Sequence, residues 1–123
     1  MATVGEIVQE VLDVAVGNYT NYGHKPTVLI IGKDNIDRFP PGQGILIREM
    51  REDPEFTLNR VKIFTKEYCQ VRVLEHSSSE REDLMSDVEE LFENSSYSII
   101  YSNVRRENIM NLFIVNLEVR LLN

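Results

Sequence analysis

The sequence predicts an α+β fold in which two helices pack on one face of a mainly antiparallel sheet, in the order α-β-β-β-α-β-β. Three observations predict it: two segments with helical apolar spacing, several short apolar segments, and a carboxyl-terminal stretch in which apolar and polar residues alternate. The chain has 123 residues, the size of one domain, so residues 1–123 are expected to form a single α+β domain.

The first helix is predicted over residues 4–16, because the apolar residues there recur at spacings of three and four and form one stripe. Thr3 and Glu6 have the spacing of a capping box, in which each side chain accepts a hydrogen bond from a backbone amide at the helix start. Gly17 and Asn18 are residue types that commonly end a helix. We therefore expect the helix to stop immediately before Gly17.

Two strands and a long loop follow. Residues 27–31 form a short apolar run that indicates a strand covered on both faces, and residues 45–49 indicate a second strand. The connection between them, residues 33–44, contains two prolines and two glycines. Its length is at the upper edge of ordinary connections, which favours a segment that contacts a partner.

The next part of the chain combines charge with extended character. Residues 51–55, around Pro54, are expected to form a turn or arm. Residues 61–76 have the composition of a strand, but one strand of that length would span about 50 Å at about 3.3 Å per residue. Since this is long for a small domain, a bend or hairpin is expected near residues 65–67.

The second helix is predicted over residues 79–93. Ser79 and Glu82 have capping-box spacing, and the apolar residues from Leu84 to Phe92 lie on one helical face with acidic residues opposite. A strand over residues 97–105, a turn over 106–108 and a last strand over 111–121 complete the prediction. The short charged connection favours an antiparallel hairpin.

Composition limits the function classes. Thirteen Lys and Arg against twenty Asp and Glu give a net charge of −7. Nonspecific binding to nucleic acid or to an anionic membrane depends on positive charge, so neither is expected. No apolar run approaches the roughly 20 residues that cross a bilayer.

The residue types that carry metal and nucleophilic chemistry are scarce. His24, His76 and Cys69 are the only histidines and the only cysteine, and they repeat no metal-ligand spacing, so no metal, cofactor or catalytic residue is expected. In one strand, Cys69 and His76 would lie more than about 20 Å apart, too far for a catalytic dyad. Cys69 is therefore interpreted as a buried structural thiol.

The order of elements, with residues 69–76 running into the second helix and residues 111–119 near the end, resembles the tail terminator or tail completion proteins of tailed bacteriophages. The resemblance implies a non-enzymatic structural virion protein that forms a homo-oligomeric ring, expected to be a hexamer. Such a ring caps the tail tube, binds the tail tube protein and the head-neck connector protein, and lets genomic DNA pass without specific binding. It also implies assembly in the host cytoplasm and a place in the tail or neck of the virion.

Contacts with partners are expected in the two projecting segments, residues 33–44 and 51–59, because loops on a rigid sheet carry recognition most easily. The candidate partner-binding residues are Ile36, Arg38, Phe39, Arg51, Glu52 and Phe56. The terminal hairpin is a further candidate, since its edge can pair with a neighbouring subunit.

Two other functions stay open at the level of sequence. A small cellular regulatory or ligand-binding α+β domain would be favoured by a tight pocket bordered by His24, Lys33 and Arg48. A thiol hydrolase that uses Cys69 is the third interpretation, and retention of activity in Cys69→Ser would exclude it.

Overall fold

The computed structural model describes residues 2–51 and 67–122 of the chain. Within these ranges two helices and five strands follow one another in the predicted order, which confirms the α+β class. The elements are α1 (Val4–Leu12), β1 (Val28–Ile30), β2 (Gly44–Arg51), β3 (Glu67–Glu75), α2 (Ser78–Glu93), β4 (Ile99–Ile109) and β5 (Leu112–Leu121).

The strands form one sheet in the order β1-β2-β3-β5-β4. Only the pairing of β1 with β2 is parallel among the described strands, and the other three pairings are antiparallel. Parallel neighbours need a connection that returns along the strand, and residues 31–43 make it. The short β1 and the eleven-residue β4 form the two edges of the sheet.

The two faces of the sheet differ in composition. Helix α1 lies over β1, β2 and β3, and α2 lies over β3, β5 and β4. Beneath the helices, fully buried residues such as Ile47, Val71 and Val115 form the core. The opposite side, here called the open face, is covered by no described helix. Its accessible part includes Leu46, Arg48, Gln70, Arg72, Arg105, Glu107, Asn116 and Glu118. Leu29, Leu74 and Ile114 lie on the same side and are buried.

Helix α1 begins as predicted and ends early. The capping box of Thr3 and Glu6 is present. The helix stops at Leu12 rather than at residue 16, because the buried hydroxyl of Tyr19 donates a hydrogen bond to the Leu12 carbonyl and holds the chain in a turn. The predicted stop at Gly17 is therefore wrong, and that glycine lies in a 3-10 turn, Val16–Asn18.

The N-cap of α2 lies two residues earlier than predicted. Ser77, not Ser79, is the N-cap, and its hydroxyl accepts a hydrogen bond from the Glu80 amide at 3.2 Å. Both serines have a glutamate three positions later, so spacing alone does not separate them. Because β3 ends at Glu75, Ser77 still has the extended backbone that a cap requires. The predicted end at Glu93 is confirmed.

The terminal hairpin is longer than predicted. Residues 106–108, predicted as a turn, continue β4, and Arg106 pairs with Val115 of β5. The turn is formed by Met110 and Asn111, whose φ angles of 49° and 68° are those of a tight two-residue hairpin connection. A bulge between Ser102 and Arg105 also shifts the register of β4.

The predicted strands 27–31 and 45–49 are both present, with changed limits. All three residues of β1 are buried, as the apolar run indicated. Strand β2 extends to Arg51, so the backbone of Arg51 belongs to the sheet and not to a turn. The remainder of the predicted arm, and residues 61–66 of the extended segment, lie outside the described residues, and β3 begins at Glu67.

Candidate interaction surface

The connection between β1 and β2, residues 31–43, is fixed at its first end by Asp34. The Asp34 carboxylate accepts hydrogen bonds from the Ile30 amide and from the Gln9 side chain, both at 2.8 Å. These two bonds lower the pKa of Asp34. Hydrogen bonds of Asp34 therefore hold the start of the connection against α1 and the end of β1.

The middle of this connection presents two of the predicted contact residues. The Asn35 side chain accepts a hydrogen bond from the Asp37 amide at 3.0 Å and opens a 3-10 turn, Ile36–Arg38. Ile36 is 47% exposed, which is high for an apolar side chain, and Arg38 beside it is also exposed. An apolar and a cationic side chain thus project together from an ordered turn.

Phe39, the third predicted contact residue of this segment, is half-buried and faces inward. An added Cβ at Gly44 would lie 2.8 Å from the Phe39 ring and 2.7 Å from the Thr27 carbonyl oxygen. The ring therefore packs on the backbone where β2 begins. This contact holds the second half of the connection against the sheet.

His76 and Glu75 fix the far end of the connection. The Nε2 atom of His76 lies 2.9 Å from the Pro41 carbonyl oxygen, and since a carbonyl only accepts, Nε2 is the protonated nitrogen. The Gln43 side chain donates to Glu75 Oε1 at 3.2 Å. With both ends anchored, the 3-10 turn at its centre is held in place relative to the sheet.

The other three predicted contact residues belong to the arm. The backbone of Arg51 is the last position of β2, where it pairs with Glu67. The Arg51 side chain, Glu52 and Phe56 lie outside the described residues. The assignment of the arm as a contact segment stays a prediction.

A cleft of about 360 Å³ lies between the segment after α1 and the first turn of α2, lined by Tyr22, His24, Gln43 and Glu80, among others. Beside it, the fully buried carboxylate of Glu75 accepts hydrogen bonds from the Tyr22 hydroxyl and from the His76 amide. Four separate segments therefore meet at one carboxylate.

The pKa values of two glutamates near this cleft, Glu75 and Glu80, are shifted in opposite directions. Burial raises the pKa of Glu75, but hydrogen bonds from Tyr22 and the His76 amide outweigh it, and the pKa is lowered overall. The pKa of Glu80 is raised because its carboxyl shares a hydrogen bond with Glu75 and is repelled by the Glu75 charge. Of the two, Glu80 takes up a proton first as the pH falls.

The three residues proposed to border a ligand pocket are not brought together. His24 lines the cleft beside α2. Lys33 forms ion pairs with Glu6 and Glu49, each at 3.3 Å. Arg48 lies on the open face. The three residues whose common pocket would favour a ligand-binding domain therefore lie on different parts of the described surface.

Cys69 occupies a core position. Its side chain is fully buried, and burial, with the nearby Glu49 charge, raises the pKa of Cys69 to about 12. His76 follows the end of the same strand, seven positions along the chain, so β3 does not bring the two side chains together. The thiol is protonated at neutral pH and packs as an apolar group.

The open face was missed by sequence reasoning, and it carries three exposed arginines. The ladder sets Arg72 of β3 beside Asn116 of β5, which in turn pairs with Arg105 of β4. Arg72 Nε donates to Asn116 Oδ1 at 3.0 Å. Arg48 lies on β2, next to a hollow of about 70 Å³ that Ile31 and Leu46 also line. Only the strand register, which sequence spacing does not give, places these arginines on one surface.

The surface of α2 that points away from the sheet has the opposite charge. The helix contains seven acidic residues and one arginine, a formal net charge of −6 out of −7 for the whole chain. Asp83, Glu90 and Glu93 are exposed, and their spacing of seven and three places them on one side of the helix. These three residues are here called the acidic stripe.

Other classes of site have little support in the described part of the chain. Among residues 2–51 and 67–122, no group of three or more His, Cys, Asp or Glu side chains is arranged to hold a metal ion. Neither α1 nor α2, nor any other described helical segment, has the length and apolar composition to cross a bilayer. The chain matches no protein-family model and no curated protein with which it was compared.

Proposed function

We propose that this protein is a non-enzymatic structural component of a virion, a tail terminator or tail completion protein that forms a ring on the end of the tail tube. The observation that carries the proposal is the element order α-β-β-β-α-β-β, with both helices on one face of the sheet and a long terminal hairpin at its edge. This order is the feature on which the resemblance to that family depends.

The surface of the molecule supports a role in assembly. The connection of residues 31–43 is anchored at Asp34 and again near His76, and it presents Ile36 and Arg38 to solvent. Strand β4 leaves one of its backbone edges without a partner strand among the described residues. A rigidly held loop and an open edge are features that recognise other proteins.

The charge of the chain suits a channel for DNA. At −7 for each subunit, a ring of six carries a formal charge of six times −7, or −42. A surface of that sign does not retain a phosphate backbone. In this proposal the partners are other copies of the chain, the tail tube protein and the head-neck connector protein, and the genomic DNA passes without specific binding.

The proposal is tested by adding the purified protein to tail tubes that lack their terminal ring and imaging them by electron microscopy. The expected result is one ring at one end of each tube, with six subunits, followed by joining of tubes to filled heads. Tubes whose ends stay bare at saturating protein would contradict the proposed function.

A further inference from the structure

We propose that the open face of one copy binds the acidic stripe of α2 in a neighbouring copy. This inference rests on the proposed function, since it gives the contact between adjacent subunits of the ring. The partner that occupies the open face is a second copy of this chain. Charge, dimensions and the relative positions of the two surfaces support it.

The two surfaces have net charges of opposite sign among the described residues. Arg48, Arg72 and Arg105 are exposed, and none of the three forms an ion pair with another described residue. The ion pairs of the described part of α2 involve Glu82, which bonds Arg106 and Arg81, and not the acidic stripe. With Glu107 and Glu118 beside them, the three arginines leave the described part of the open face with a net positive charge, and the acidic stripe adds three carboxylates that form no ion pair with a described residue.

The dimensions of the two surfaces agree. Arg48, Arg72 and Arg105 lie on β2, β3 and β4, and β5 separates the last two, so they span three interstrand spacings. At about 4.8 Å for each spacing, the arginines extend over about 14 Å. The acidic stripe runs over ten residues of helix, or about 15 Å at about 1.5 Å per residue. A helix laid across the strands brings the two sets together along their whole length.

The open face also offers apolar area beside its charges. Ile31 is 46% exposed, and with Leu46 it lines the hollow of about 70 Å³ next to Arg48. Interfaces that persist combine an apolar centre with a polar rim, since exposed ion pairs alone stabilise weakly. The hollow gives the contact its apolar part, and the arginines fix its orientation.

The positions of the two surfaces allow a head-to-tail assembly. The open face and the acidic stripe lie on opposite sides of one molecule, because α2 packs on the helix-covered side of the sheet. A copy that uses its open face therefore still offers its stripe to the next copy. Such head-to-tail contacts generate rings when the rotation between copies closes.

The test exchanges the signs of the two surfaces. One variant carries Arg72→Glu and Arg105→Glu, and a second carries Asp83→Lys and Glu90→Lys. Each alone is expected to self-associate at least about tenfold more weakly than the wild type, because like charges then face each other. An equimolar mixture is expected to regain the wild-type mass by sedimentation, since the reversed surfaces are complementary. Lys25→Glu, which reverses an exposed positive charge outside both surfaces, is expected to behave as wild type.

Far-UV circular dichroism establishes that each variant is folded before its mass is compared. Unchanged assembly of both variants, or a mixture that does not regain the wild-type mass, would overturn this contact. A ring on the tube end would still support the proposed function in that case. A wild type that stays monomeric up to several hundred micromolar would also overturn it. Recovery in the mixture without binding to tail tubes supports the contact and contradicts the proposed function alone.

Discussion

The hydroxyl of Tyr22 donates a hydrogen bond to the buried carboxylate of Glu75, two residues that lie 53 positions apart in the chain. This bond ties the segment after α1 to the end of β3. Gln43 and the His76 amide bond the same carboxylate. A single buried carboxylate therefore joins the far end of the β1–β2 connection to the segment after α1, and the stability of this region depends on pH.

Glu80→Gln is expected to stabilise the protein at pH 7 and to lose that effect at low pH. Glu75 raises the pKa of Glu80 in the folded state above its unfolded value of about 4.5. Protonated Glu80 therefore contributes to the free energy of unfolding below about pH 4.5, and this contribution is lost as the pH rises through the folded pKa. Glutamine keeps a hydrogen-bonding group without the repelling charge. Urea unfolding at pH 4 and pH 7 measures the difference, with Glu89→Gln as the matched control on the same helix. An equal effect of Glu80→Gln at both pH values would contradict the account.

Asp87→Ala is expected to lower the free energy of unfolding by about 2–3 kcal/mol. The Asp87 carboxylate is 1% exposed and accepts hydrogen bonds from the amides of Asn21 and Tyr22, at 3.1 and 2.7 Å. Its removal leaves these donors without their partner. Chemical denaturation compares it with Ser86→Ala, an exposed position on the same helix where the change is expected to stay within about 0.5 kcal/mol. Similar losses in both variants would show that Asp87 does not anchor this segment.

Gly44→Ala is expected to destabilise the protein by about 1–3 kcal/mol. Gly44 has a φ of +122°, and an added Cβ would lie 2.7 Å from the Thr27 carbonyl oxygen. Gly17→Ala is the control, because nothing lies within 4 Å of a Cβ at that position. Thermal unfolding of the two variants distinguishes them. A Gly44→Ala protein as stable as Gly17→Ala would mean that the close approach of Phe39 and Thr27 to the start of β2 does not constrain the fold.

Ile36→Asp combined with Arg38→Glu is expected to leave stability within about 0.5 kcal/mol, because both side chains are exposed. Binding to the ends of tail tubes is expected to fall at least about tenfold, since an apolar and a cationic side chain are both replaced by negatively charged ones. Sedimentation of the variant with tubes measures this loss. Lys25→Glu, on another part of the surface, serves as the control. Normal binding by the double variant would remove residues 36 and 38 from the contact surface.

The sequence predicts most of the elements because their signals are local. The capping box at Thr3 and the apolar face of α2 depend on neighbours within a few positions, and both are found. The hairpin turn was placed wrongly because Met110 adopts a left-handed backbone that its residue type does not indicate. The early end of α1 depends on a hydrogen bond from Tyr19, seven residues beyond Leu12.

The surfaces were harder to predict than the elements. Ile36 and Arg38 were named as candidates from loop length and exposed character alone, and the structure places both on an ordered turn. The open face was not foreseen, because Arg72 and Arg105 come together only through the register of β3, β5 and β4 and through the bulge in β4. The hydrogen bonds of Glu75 likewise were not foreseen, because Tyr22 and Gln43 lie far from Glu75 in the chain and no sequence pattern relates them.

The central claim, that the protein forms a ring, is tested most directly by its mass in solution, measured by light scattering, with negative-stain images of the same sample. The account predicts a mass of about six subunits and rings with a central hole. A protein that is monomeric or a compact dimer, both alone and after mixing with tail tubes, would contradict it.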